Sequence, residues 1–210
     1  MGSDSASDAG SPVQVARTLL DLTLSRPETL GEGRLVSLDG PAGSGKTTLA
    51  AALAEAAEDA GLSVRVVHMD DLYDGWQGLP RVGDQLGSLL EPLGRCAAGE
   101  YRRYDWIADR YAEAVTVAPV DLLVLEGVGS GDGRFAALRT VLVWVQAPDG
   151  LRLERGLDRD GHEAEPMWRR WMVDEAAHFE ADDTRARADL LVDGTGERAP
   201  TLPGGGAVLG

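Results

Sequence analysis

Lys46 is the only lysine in a chain of 210 residues, and it stands inside Gly40-Pro41-Ala42-Gly43-Ser44-Gly45-Lys46-Thr47. The spacing is G-x-x-x-x-G-K-T, in which glycines let backbone N–H groups converge on phosphate oxygens. A helix beginning at Lys46 adds the favourable partial charge of its N-terminus. An ammonium on a flexible stem reaches the β- and γ-phosphates as a compact point charge, a task that the planar arginine fork performs poorly. Every other basic residue in the chain is arginine. The Thr47 hydroxyl is the expected Mg²⁺ ligand, and Thr48 follows it in the helix's first turn. The spacing arises by chance in roughly one chain in a hundred of this length at average composition. The segment therefore predicts nucleoside triphosphate binding, with ATP and Mg²⁺ as the expected ligands.

Carboxylates and arginines elsewhere fit the same chemistry. Asp70 and Asp71 follow an apolar stretch, Ser63 to Met69, that reads as a buried strand. A carboxylate at the carboxyl end of such a strand lies in the crevice where α/β sheets bind ligands. Phosphoryl transfer to a hydroxyl needs a group that accepts or orients that proton. Glu126 ends another apolar strand, Asp121 to Leu125, close to the phosphate loop, and can hold Mg²⁺ directly or through water. Arg152, Arg155 and Arg159 recur at spacings of three and four, so a helix would carry them on one face able to close over phosphates. Asp71, Tyr73, Trp76, Tyr101, Arg102 and Tyr104, with Trp106, concentrate between the second and third strands as candidate acceptor-binding residues. His68 reads as a core or supporting histidine, and His162 and His178 as surface residues.

Composition narrows the class. The chain has no Asn, so the N-K-x-D guanine signature of common GTPases is absent, as is the L-S-G-G-Q signature of ABC ATPases. A net charge of −15 argues against a general nucleic-acid binder. Cys96 is the single cysteine, which excludes an internal disulfide, predicts a reducing, cytoplasmic setting, and reads as a small apolar helix residue. No apolar run reaches membrane-spanning length, and the N-terminus lacks a basic and apolar leader pattern.

These residues need a scaffold of alternating strands and helices. Ser11-Pro12 starts a helix that ends near Pro27. A strand at Arg34 to Leu38 feeds the loop, and Lys46 to Ala60 is a helix stopped by Gly61. Residues 82 to 98 read as a helix, then Tyr101 to Trp106 and Ala114 to Ala118 as a hairpin. Thr140 to Gln146 and Leu190 to Val192 complete the strands, with helices at Leu151 to Asp158 and Pro166 to Phe179. The pattern predicts an α/β, three-layer P-loop NTPase fold with a mostly parallel central sheet. Residues 1–10 read as a disordered tail, 11–195 as one P-loop kinase domain with a lid near 152–165, and 196–210 as a flexible tail.

Five segments carry a family resemblance: DGPAGSGKTT (39–48), HMDDLYDGW (68–76), LLVLEGVGSG (122–131), RLERGLDRDG (152–161) and ADLLVDG (188–194). Together they resemble the uridine kinase family, most of all its compact bacterial members. The resemblance implies a kinase that transfers the γ-phosphate of Mg-ATP to a hydroxyl. Asp70 would take the acceptor proton and join the metal's surroundings, Glu126 would act in a Walker-B-like role, and Arg155 and Arg159 would belong to an arginine lid. In that family the region between the second and third strands helps enclose the nucleoside. Here YRRYDWIADRY (101–111) stands in place of the family's recognisable nucleoside insertion. The acceptor thus remains open among a nucleoside, another hydroxyl-bearing metabolite and a nucleoside monophosphate. A nucleotide-binding regulatory protein without an acceptor is the reading from a different class.

Overall fold

The phosphate loop grows out of the central strand of a parallel sheet. A computed structural model describes residues 9–204; the tail segments 1–8 and 205–210 lie outside the described residues. Helix α1 (Pro12–Leu24) precedes strand β1 (Arg34–Asp39), helix α2 (Lys46–Asp59) and strand β2 (Val64–His68). Helix α3 (Val82–Leu93) leads into the antiparallel hairpin β3 (Gly99–Asp105) and β4 (Arg110–Val117). Strands β5 (Leu122–Glu126) and β6 (Val141–Gln146), helices α4 (Asp149–Asp160), α5 (Glu165–Asp182) and α6 (Thr184–Arg187), and strand β7 (Leu190–Asp193) follow. The five-stranded sheet has the order β2-β5-β1-β6-β7, parallel throughout. β1 has β5 on one side and β6 on the other, so the connections leaving the carboxyl ends diverge there and open a crevice.

Period-two alternation builds a core on each face. Leu35, Leu123 and Leu125 face α3, with Leu86, Leu89, Leu90 and Tyr73. Val36, Leu38, Leu122 and Val124 face α1 and α2, with Val15, Leu19, Leu49 and Leu53. The apolar stripe of α1 thus covers the sheet through α2. α1 begins as its sequence signals, with Ser11 as N-cap, its hydroxyl accepting from Gln14 N at 3.4 Å, and Pro12 at the first position.

Two local expectations are corrected. Helix α3 ends at Leu93 rather than residue 98, and Cys96 lies beyond it, exposed and at φ +58°. Ala97 N donates to Pro92 O and Cys96 N to Leu93 O, the paired bonds of a Schellman closure with Cys96 in the left-handed position. The hairpin strands run two residues earlier at the start of β3 and four earlier at β4 than the sequence pattern implied. Asp105 Oδ1 accepts from the N–H groups of Ile107 and Ala108 at 3.0 and 2.9 Å and shapes the connecting turn. At the other end of the chain, Leu191 and Thr201 form an antiparallel bridge.

Candidate active site

The phosphate loop occupies the turn from β1 to α2. Gly40 has φ +130°, and a Cβ there would lie 2.1 Å from Val145 O, so only glycine fits. A Cβ on Gly43 would meet Arg152 O at 2.5 Å, and its φ is +76°. Gly45, at φ +101°, turns the chain into α2. Lys46 is 5% exposed, and its Nζ donates to Gly40 O at 2.7 Å and Pro41 O at 2.9 Å. Burial lowers its pKa, opposed by the charges of Glu126, Asp39, Glu175 and Asp70. Those carboxylates keep the buried ammonium from being isolated.

Glu126 sits at the end of β5, buried, beside the start of α2. Its Oε1 accepts from Thr47 Oγ1 at 3.1 Å and meets His68 Nδ1 at 2.5 Å. The hydrogen bond to Glu126 raises the His68 pKa, against partial burial. Thr47 and Glu126 thus offer two hard oxygen donors side by side, which suits Mg²⁺. Among the described residues no group of three or more His, Cys, Asp and Glu side chains could hold a metal ion. The donor set therefore fits an ion held by one or two protein oxygens, with the rest of its shell from phosphate and water.

Asp70 and Asp71 form a 3₁₀ turn directly after β2. Asp70 is exposed where it opens onto the cavity. Removal from bulk water, then the nearby Glu126 charge, raise its pKa, while Arg159, Lys46 and His68 pull it down. The Asp71 pKa is also raised by burial, with His68 and Arg103 opposing.

These groups line a single cavity of about 1120 Å³. Ala42, Gly43, Gly45, Lys46, Thr47 and Thr48 form its floor, and Asp70, Asp71, Tyr73, Trp76, Glu126, Arg155 and Arg159 its walls. Arg155 Nη1 donates to Gly43 O and Gly194 O, each at 3.2 Å. Arg159 pairs with Asp160 at 2.7 Å and lies over the Trp168 ring at 5.6 Å. Three of the expected acceptor residues lie outside this lining. Tyr101 is packed in the core with α3, Arg102 lies over Tyr111 at 4.9 Å, and the Tyr104 hydroxyl donates to Asp109 at 2.6 Å. Pro41 and Ser44 shape the loop from behind, Pro41 by giving its carbonyl to Lys46.

The expected three-arginine face is also corrected. Arg152 is buried at 5% exposure and turned inward, pairing with Glu175 at 2.7 Å and donating to Ala42 O at 3.0 Å. Glu175 in turn accepts from Ala42 N at 2.8 Å. Both backbone groups of Ala42 are therefore held by one buried ion pair reaching from α4 and α5. Burial raises the Glu175 pKa, against Ala42 N–H and Arg152.

Asp39 is a second unforeseen support. Fully buried, it accepts from Gly40 N at 2.7 Å, Gly129 N at 3.0 Å and Gly131 N at 2.7 Å, tying the loop's entry to the turn after β5. Burial raises its pKa, and those amides with Lys46 oppose this. The cavity also takes in Trp106, Trp168 and Trp171. The i, i+3 spacing of Trp168 and Trp171 is the sequence signal that puts both on one face of α5. His178, read from sequence as a surface residue, is half-buried, and its Nε2 is enclosed without a hydrogen-bond partner.

Comparison with known proteins places this geometry. Residues 36–176 match the profile of a family described as AAA domain. The fold is shared with a possible uridine kinase from Bacillus stearothermophilus, at 22% identity, 85% coverage of this chain, 97% of that chain and a TM-score of 0.63. It is shared equally with a candidate fructose transport system kinase from a Silicibacter species, at 25% identity, 80% and 94% coverage and a TM-score of 0.63. No curated protein matches the chain in sequence. The expected P-loop NTPase fold and its likeness to uridine kinase-like proteins are met. No helix among the described residues is long and apolar enough to cross a membrane.

Proposed function

The chain belongs to the AAA domain family, and from that premise we propose that it is an Mg-ATP-dependent kinase transferring the γ-phosphoryl group to a hydroxyl of a small molecule. The observation that carries this reading is the opening of Asp70 into the same cavity as the phosphate loop, which Lys46 and Thr47 also line. A raised pKa brings Asp70 nearer to the working pH, where a general base is most effective. Residues 11–195 act as one kinase domain in the cytoplasm, with 152–165 as its lid.

Each residue has a physical task. Lys46 exchanges the Gly40 and Pro41 carbonyls for phosphate oxygens, and the loop amides surround the same group. Thr47 and Glu126 would hold Mg²⁺, which supplies charge neutralisation at the phosphates. Asp70 takes the acceptor's hydroxyl proton. Arg155 and Arg159, on the cavity side of α4, stabilise negative charge as it develops. The Arg152–Glu175 pair and Asp39 keep the loop in shape so that none of these groups needs to reorganise.

The test is nucleoside diphosphate production against a panel of hydroxyl-bearing metabolites, with Asp70→Asn and Lys46→Ala as controls. Acceptor-dependent turnover that both substitutions abolish is the expected result. Tight nucleotide binding with only slow, acceptor-independent hydrolysis would instead mark a regulatory nucleotide-binding protein.

A further inference from the structure

Away from the phosphate loop, the cavity wall changes character. Four of the five tryptophans meet there, from three separate segments: Trp76 in a 3₁₀ turn after Asp70, Trp106 in the hairpin turn, and Trp168 and Trp171 on α5. Trp76 is their hub, with ring centroids 5.8 Å from Trp106, 6.2 Å from Trp168 and 6.1 Å from Trp171. Two indole N–H groups are already committed, Trp106 to Asp70 O at 2.9 Å and Trp168 to Asp160 Oδ2 at 2.9 Å. Trp106, 40% exposed, can still offer a ligand its apolar face, while the buried Trp168 backs the wall beneath Arg159.

The charges at this end are two carboxylates and one arginine, Arg159, which lies over the Trp168 ring at 5.6 Å. The carboxylates are Asp70 and Asp71, which open onto the cavity here. The nearest lining arginine, Arg159, is a bidentate partner of Asp160 at 2.7 and 3.0 Å. Arg155, the other, donates to Gly43 and Gly194 beside the phosphate loop. No lining cation is left unpaired at the tryptophan end among the described residues. An anionic group here would lose water, find only a cation already paired with Asp160, and face two carboxylates. A flat neutral ring or an ammonium group would gain from the same surroundings.

We propose that this tryptophan chamber selects an alcohol that carries no negative charge and has an apolar, ring-sized or cationic body. Nucleoside monophosphates, sugar phosphates and hydroxy acids are excluded as acceptors. The word acceptor rests on the phosphotransfer reading; the chamber's charge selectivity does not.

The experiment measures equilibrium binding by calorimetry and tryptophan fluorescence on the intact protein. A non-hydrolysable ATP analogue first fills the phosphate loop, and its own affinity is recorded. The probes are matched pairs: uridine with uridine 5′-monophosphate, ribose with ribose 5-phosphate, and choline with glycerate. Binding and quenching by at least one uncharged or cationic member, with its anionic counterpart about tenfold weaker or worse, is the expected result. Trp106→Ala, at an exposed turn, should weaken that binding about fivefold or more while leaving analogue affinity unchanged. Trp76→Phe, which keeps an aromatic face, should retain most of it. Equal or tighter binding of an anionic member overturns the proposal, as does indifference to Trp106→Ala or failure of every non-anionic probe. Loss of analogue binding would strike the kinase reading instead, as would a bound probe that is never phosphorylated.

Discussion

At the scale of residues, one oxygen of Glu126 serves Thr47 and His68 together. The His68 pKa is raised above 6.5, so its interaction with Glu126 stabilises the fold fully at pH below 6.5 and fades as pH rises through the folded value. The Tm difference between the protein and His68→Ala should shrink across that window in thermal melts at stepped pH. Asp70 has the opposite consequence for its own fold. With its pKa raised, the ionised carboxylate is a cost that grows as pH rises past the ordinary 3.8. Asp70→Asn is expected to melt higher at pH 7, the gain disappearing in acid, while kcat falls about 10²- to 10⁴-fold. The acid limb of the pH–rate profile should lie above the ordinary aspartate value of 3.8. Lys46→Ala should cost about 10² or more in kcat and leave the fold intact, as circular dichroism would report. Lys46, Thr47 and their loop were legible because their function is written in eight contiguous residues. Glu175 was not, because nothing local distinguishes a carboxylate that meets Ala42 across 133 positions from any other acid on a helix.

Elements carry the next set of consequences. α4 and α5 both reach the phosphate loop, through Arg152 and Glu175, and their packing is tight. A Cβ on Gly156 would lie 2.4 Å from the Trp168 ring, so Gly156→Ala should cost about 1–3 kcal/mol through overpacking. A blue- or red-shifted tryptophan emission together with a lower urea midpoint would register it. Glu175→Ala leaves the buried Arg152 with only the exposed Asp149 as an ionic partner, and Ala42 N–H without an acceptor. A loss of about 3–5 kcal/mol is expected, with a raised KM for nucleotide. Unchanged stability in denaturant titration would remove the clamp from the account. The strands and long helices were readable from period two, period 3.6 and their caps. The end of α3 was not, since its Schellman closure places Cys96 in a left-handed turn that glycine usually occupies. Short 3₁₀ turns and the four-residue α6 offer too few positions to show a period. The aromatic cluster was visible only in part: sequence proximity grouped Tyr101 and Tyr104 with Trp76, whereas the chain's path supplies Trp168 and Trp171 from another region.

For the whole molecule, a charge of −15 surrounds a site that must attract an anion. The long-range field opposes the nucleotide, and only the loop's short-range donors reverse it. Raising ionic strength from about 10 to 150 mM shortens the Debye length from about 30 to 8 Å. It should therefore raise kcat/KM for nucleotide, by roughly two- to tenfold, the reverse of an enzyme that steers its substrate. A fall with salt in steady-state assays would contradict this. The parallel sheet followed from alternating elements, but the neighbour order that sets β1 between β5 and β6 depends on long-range pairing that no segment encodes alone.

The buried lysine also has a chemical meaning apart from phosphate. Beyond the chain's α-amino group, Lys46 is the protein's only primary amine, and it is held on two carbonyls. Amine-selective acylating reagents have one internal target, and they reach it only when the loop releases it. The extent of labelling at that single peptide, read by mass, becomes a gauge of how often the loop opens and of whatever ligand keeps it shut.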